Sequence, residues 1–202
     1  MIDPYASGRE DFVLGYLGHV RRCLDALPVA DVARFVECLE RAYTDDRQVY
    51  IVGNGGSAAT ASHMACDLAK NVYPAAPGVP VRRFRVTSLT DNVALITALA
   101  NDCGYERVFS EQLTNVLQKD DLVIAISASG NSPNVLEAIA LARERGARTA
   151  ALLGFDGGRA RRLVDVAVVV ASDDYGHVED LHLVLNHLVA TWMRQLLLAA
   201  VR

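Results

Sequence analysis

The stretch Leu122-Val123-Ile124-Ala125-Ile126, running into Ser127-Ala128-Ser129-Gly130-Asn131-Ser132 and then Pro133–Arg145, decides the fold. Five consecutive apolar residues read as a strand buried on both faces. The Gly/Ser stretch reads as a turn, and Pro133 opens a helix at its first turn. The same grammar occurs upstream: Val49-Tyr50-Ile51-Val52 leads into Gly53-Asn54-Gly55-Gly56-Ser57 and a helix over Ala58–Lys70. Further strands are predicted at Val81–Val86, behind the proline-rich loop Pro74–Pro80, and at Thr149–Leu153 and Val166–Val170. Helices are predicted over Asn92–Ala100, Val108–Leu117 and about Val178–Leu198. Apolar strands alternating with helices predict an α/β fold, a doubly wound five-stranded parallel sheet with helices on both faces.

Ahead of this core, Phe12, Leu14, Leu17, Val20, Leu24 and Leu27 recur at helical spacing until Pro28. Val32, Phe35, Val36, Leu39 and Tyr43 form a second stripe, with Asp31 placed to cap it. The pair is expected to be an N-terminal helical hairpin, residues 11–43, serving as a packing layer. The whole chain, 1–202, is expected to form a single domain, with the α/β core and last helix over 48–198.

Composition excludes several function classes. Lys plus Arg total 20 against 24 Asp plus Glu, a formal net charge of -4, and aromatics are 6%. A sequence-independent nucleic-acid binder needs a basic surface, and a single-strand binder needs stacking platforms, so no nucleic-acid partner is expected. Val164–Ala171 is too short to span a bilayer, and Leu181–Val201 is interrupted by His182, Asn186, His187, Arg194 and Gln195, so no membrane partner is expected. Met1–Glu10 carries Asp3, Arg9 and Glu10 and no apolar run, unlike a signal peptide. Cys23, Cys38, Cys66 and Cys103 are scattered, which suits thiols in a reducing cytoplasm.

Ligands of doubly wound sheets bind at the carboxyl ends of the strands, where both Gly/Ser turns fall. In the second turn, the hydroxyls of Ser127, Ser129 and Ser132 precede a helix N-terminus, whose amides and positive dipole end favour an anion. Gly130 permits close backbone approach, and no Walker lysine is present, so the turn is read as a phosphate cradle rather than a hydrolytic P-loop. The first turn departs from the dinucleotide fingerprint because Ala58 stands where a third glycine is required. His63 and Asp67 are four apart, hence on one helix face. On the last helix Glu179, His182 and Asn186 share a face, and His187 is rotated from Glu179 by about 80°. Imidazoles with carboxylates suit either a zinc-like ion or proton transfer, while each histidine taken alone reads as a core or interface histidine hydrogen-bonded to a neighbour. His19 and His177 read as packing histidines.

The segments GNGGSAATASH (Gly53–His63), LITALAND (Leu95–Asp102), ISASGNSPNV (Ile126–Val135) and LLGFDGG (Leu152–Gly158) resemble the sugar isomerase (SIS) domain, and within it the phosphoheptose isomerases. The resemblance covers about Asp11–Leu198. It implies phosphate binding by Ser127, Ser129 and Ser132 with Ser57 nearby and Ala128 between them. It implies substrate contacts at Asn54, Gly55, Gly56, Asn101 and Asp102. Acid–base and zinc roles fall on His63, Asp67, Glu179 and His187, with Asp67 and His187 as the catalytic pair and Asp67 and Glu179 also near the substrate. The implied reaction converts sedoheptulose 7-phosphate to D-glycero-D-manno-heptose 7-phosphate through an enediol(ate), with one Zn2+ per subunit. The implied assembly is a homotetramer whose N-terminal helices lie in the interface and whose active sites are shared between subunits. The chain departs from the family pattern at Asp67 (usually Glu), Glu179 (usually Gln), Ala128 (usually Thr) and Asn71 (usually basic). The competing expectation is a non-catalytic SIS protein, binding a phosphosugar or a replication initiator, whose TDN…TA-AND segment is similar to Thr90–Asp102. The presence of both Asp67 and His187 favours an enzyme. A phosphosugar-sensing regulator is expected to carry a DNA-binding segment, for which 202 residues leave no room.

Overall fold

The computed structural model describes residues 8–73 and 82–199. Helices α1 (Arg9–Asp25) and α2 (Val29–Thr44) precede β1 (Gln48–Gly53) and α3 (Gly56–Cys66), which continues into a π-helical turn over Asp67–Asn71. Then come β2 (Arg85–Ser88), α4 (Val93–Cys103), α5 (Val108–Val116), β3 (Leu122–Ser127) and α6 (Pro133–Glu144). The chain ends with β4 (Arg148–Leu153), β5 (Val166–Val169) and α7 (Tyr175–Ala199). All strand pairs are parallel, in the order β2-β1-β3-β4-β5. The direction of winding reverses between β1 and β3, where Gly53 stands opposite Ile126. That is the crevice at which such sheets bind ligands.

Side-chain alternation divides the core between the two faces. Val49, Ile51, Leu122, Ile124 and Ile126 pack with Phe35 and Leu39 of α2, Met64 of α3 and Leu181 and Leu185 of α7. Tyr50, Val52, Val123 and Ala125 pack instead with Phe109 and Leu113 of α5 and Val135 and Ile139 of α6. Uninterrupted apolar strands are therefore what both faces require.

Three local expectations change. Strand β2 begins at Arg85, later than the expected Val81, which together with Pro74–Pro80 lies outside the described residues. Asp31 does not cap α2: Pro28 occupies that position, and the Asp31 carboxylate accepts from Arg34 Nη2 at 2.6 Å within the first turn. Of the N-terminal pair, α2 lies on the sheet, whereas α1 leans on the start of α7. There His19 stacks on His177 with ring centroids 4.2 Å apart, and Tyr16 donates to Asp180 Oδ2 at 2.6 Å. Cys23 is the one buried side chain of α1; Phe12, Val13, Leu14 and Leu17 remain exposed.

His182 of α7 is fully buried, and its Nε2 donates to the Leu153 carbonyl at 3.1 Å. Burial pushes its pKa down to about 4 from 6.5, with the carbonyl opposing. Between those values the unfolded chain binds more protons than the folded one, so stability is full above about pH 6.5 and declines as pH falls toward 4. The loss reaches about 3 kcal/mol. His182→Gln, which keeps a donor and cannot titrate, should show a shallower decline in urea midpoint than wild type across that window.

Candidate active site

The serine turn is built by two facing loops. Gly130 adopts φ +62°, and a Cβ there would stand 2.1 Å from the Gly157 carbonyl oxygen; one on Gly158 would stand 2.4 Å from the Ser129 oxygen. Glycine alone permits this backbone-on-backbone contact. It is tied by Gly154 N–H to the Ala128 carbonyl at 2.9 Å and Ala160 N–H to the Gly130 carbonyl at 3.0 Å. Asn131 accepts Arg159 N–H at 3.0 Å and donates to the Ser129 carbonyl at 3.0 Å. The glycines of Leu152–Gly158 thus form the second wall of the turn, a role their sequence did not disclose. Gly130→Ala should lower stability by roughly 2–4 kcal/mol and Tm by roughly 5–10 °C, measurable by calorimetry.

Within the turn, Ser127 Oγ is buried and accepts Gly130 N–H at 3.2 Å, so it braces the loop. Ser129 Oγ accepts Asn131 N–H at 3.3 Å. Ser132 is the N-cap residue of α6, yet its hydroxyl makes no capping hydrogen bond and remains available. The other turn is joined to this one by a reciprocal amide pair: Asn54 Nδ2 donates to Asn134 Oδ1 and Asn134 Nδ2 to Asn54 Oδ1, both at 2.8 Å. Tyr105 Oη donates to Asn54 Oδ1 at 3.0 Å. Asn101 and Asp102 are exposed on the last turn of α4 and bond each other at 2.7 Å. Ser57 is buried in the first turn of α3.

Helices α3 and α7 carry the titratable groups side by side. Near their starts the Glu179 carboxylate rests against Gly56, where a Cβ would come within 2.2 Å of its Oε2. The positive end of α3 favours a carboxylate there. Two turns further on, His63 Nε2 and His187 Nε2 are 3.2 Å apart, and Asp67 Oδ2 is 3.4 Å from the first and 3.9 Å from the second. Asp67 is 4% exposed, while both imidazoles reach solvent. Among the described residues, His63, Asp67 and His187 are the group that can share a metal ion, with ligand atoms within 4.8 Å of one another. The expected fourth ligand, Glu179, stands outside that group because eight residues of helix separate it from His187, about 12 Å of rise. Gly56, Ala59 and His63 line the exposed face of α3 between the sheet edge and the cluster.

Parallel order 2-1-3-4-5 places both Gly/Ser turns at the crevice of a doubly wound α/β sheet, and the SIS domain family pattern matches residues 15–154. The chain belongs to the SIS domain family and, within it, stands close to the phosphoheptose isomerases. The phosphoheptose isomerase of Geobacter sulfurreducens is 37% identical over 182 residues, covering 89% of this chain and 94% of that protein. The phosphoheptose isomerase of Pelobacter propionicus is 40% identical over 161 residues, covering 80% and 82%. Among solved structures, phosphoheptose isomerase GmhA from Neisseria gonorrhoeae matches with a TM-score of 0.84 at 27% identity, covering 93% of this chain and all of that one.

Proposed function

We propose that the chain is an aldose–ketose isomerase that converts sedoheptulose 7-phosphate to D-glycero-D-manno-heptose 7-phosphate, working as one domain over 1–202 in the cytoplasm. The observation that carries this reading is the convergence of His63, Asp67 and His187 on helices that begin at the sheet edge bearing the serine turn. From Gly56 to His63 the helix rises about 10 Å, on the order of the length of an extended seven-carbon sugar phosphate. The phosphate binds to Ser129, Ser132 and the α6 amides, with Ser127 bracing the loop and Ser57 near it. Asn54, Gly55, Gly56, Asn101, Asp102 and Glu179 face the sugar chain.

At the reacting end, His187 removes the proton from the carbon beside the carbonyl and Asp67 donates to the carbonyl oxygen. His187 then returns its proton to the former carbonyl carbon while Asp67 takes up the proton of the neighbouring hydroxyl, so the double bond moves through a cis-enediol(ate) and both groups regain their starting states. Binding the remote phosphate supplies the energy that holds the open chain in reactive geometry. Two Nε2 atoms and one carboxylate with solvent on the open side fit Zn2+ as ligands, so His63, Asp67 and His187 would hold it, in competition with the proton transfer by His187 and Asp67, which needs both groups free of the ion. A bound Zn2+ would supply carbonyl polarisation and charge stabilisation there.

A homotetramer fits the exposed surface. The apolar face of α1 and a groove of about 460 Å3 along α7, lined by Val184, His187, Leu188, Thr191, Trp192 and Gln195, are suited to cover by another copy. A copy seated on that groove would close over His187. The testing experiment is a product screen over five- to seven-carbon ketose phosphates with metal analysis. Conversion restricted to sedoheptulose 7-phosphate is expected; conversion of a five-carbon substrate alone would reassign the enzyme.

A further inference from the structure

Asp67 is a buried carboxylate, and among the described residues no lysine or arginine pairs with it. A buried carboxyl group needs hydrogen-bond partners, and two amides supply donors to it. Asn71 Nδ2 donates to Oδ1 at 2.5 Å, and Asn186 Nδ2 donates to Oδ2 at 2.9 Å. The donors come from different elements: Asn71 from the end of the π-helical turn that Asp67 begins, Asn186 from α7. Together they fix both the plane of the carboxylate and which oxygen faces His63 and His187. Asn186 is 1% exposed, and its own Oδ1 has no partner. A residue serving only to fill space would not bring a buried amide with an orphaned acceptor, since leucine would fill the space at lower cost.

We propose that Asn71 and Asn186 are positioning residues that clamp Asp67, aiming Oδ2 at the imidazoles and the reacting carbon. This inference rests on the isomerase reading. Asparagine suits the task because its donors cannot take up or release a proton in the working range, so the clamp orients Asp67 without competing in the transfer. The aspartate arm also has fewer rotatable bonds than a glutamate arm, and a clamp on each oxygen leaves it one orientation.

The test compares wild type, Asn186→Leu and Asn71→Ala for sedoheptulose 7-phosphate turnover, with Zn2+ affinity read by chelator competition. Asn71 is exposed, so its variant keeps the core intact if Asn186→Leu does not fold. Each folded variant should lose 10- to 100-fold in kcat with KM within about twofold, and bind Zn2+ 10- to 100-fold more weakly. Asn186→Gln, which restores an amide donor, should recover part of both. Wild-type kcat and Zn2+ affinity in the folded variants would overturn the clamp. A wild-type chain that binds Zn2+ without turning over the sugar would overturn the isomerase reading instead, leaving the clamp to be decided by the Zn2+ affinities. A wild-type chain that does neither would overturn both.

Discussion

His187→Ala should lose between 10²- and 10⁴-fold in kcat while its KM for sedoheptulose 7-phosphate stays within a fewfold of wild type, as expected when a positioned acid–base group is removed. The residue is exposed on α7, so the truncation leaves no core cavity, and circular dichroism should show an unchanged melting transition. Asp67→Asn should fall as far in kcat for a different reason. The amide keeps the shape but can neither donate as an acid nor serve as an anion, and it sets an Nδ2 donor against the Asn71 or Asn186 amide. That variant should also lose stability. If the two residues act as one unit, the double variant will be little slower than the worse single one. A His187→Ala enzyme with wild-type kcat would place the base elsewhere.

The second large effect falls at the other end of the substrate. Ser129→Ala and Ser132→Ala together would remove the two neutral donors proposed for the phosphate, and hydrogen bonds to charged groups contribute about 1.5–3 kcal/mol each. A loss of roughly 3 kcal/mol or more corresponds to a KM rise on the order of 10²-fold or greater. Because remote phosphate binding also aligns the open chain, kcat should fall as well, but less. Ser127 is omitted because its Oγ accepts Gly130 N–H, so its removal would disturb the loop itself. An unchanged KM in the double variant would remove the serine turn from the substrate site.

Much of this arrangement is readable before folding. Leu122–Ile126 has no polar residue to offer solvent, and a strand of that kind demands cover on both faces. The Gly/Ser turns mark the carboxyl ends of β1 and β3, and their residue types suit close backbone approach and hydroxyl donation. His63 and Asp67 are joined by helical spacing alone. Contacts between segments distant in sequence are less legible. Nothing local in Leu152–Gly158 indicates that its glycines carry carbonyls into van der Waals contact with the serine turn. Asn186 is visible on a face with Glu179 and His182, but which side chain meets Asp67 depends on how α7 lies along α3. The same register separates Glu179 from the imidazoles and sets it over Gly56. Asp31 shows a different failure, because a capping residue type was overtaken by Pro28, whose fixed φ opens the helix earlier.

Hydrogen transfer between adjacent carbons of a phosphosugar can be followed by proton NMR of sedoheptulose 7-phosphate incubated with wild-type protein in D2O. Aldose–ketose isomerisation by this pair predicts deuterium entering at the carbon next to the carbonyl, together with the appearance of the aldose, and loss of both in His187→Ala and Asp67→Asn. A wild-type protein that binds the sugar phosphate but incorporates no deuterium, with or without added Zn2+, would contradict it and leave a phosphosugar-binding SIS protein in its place.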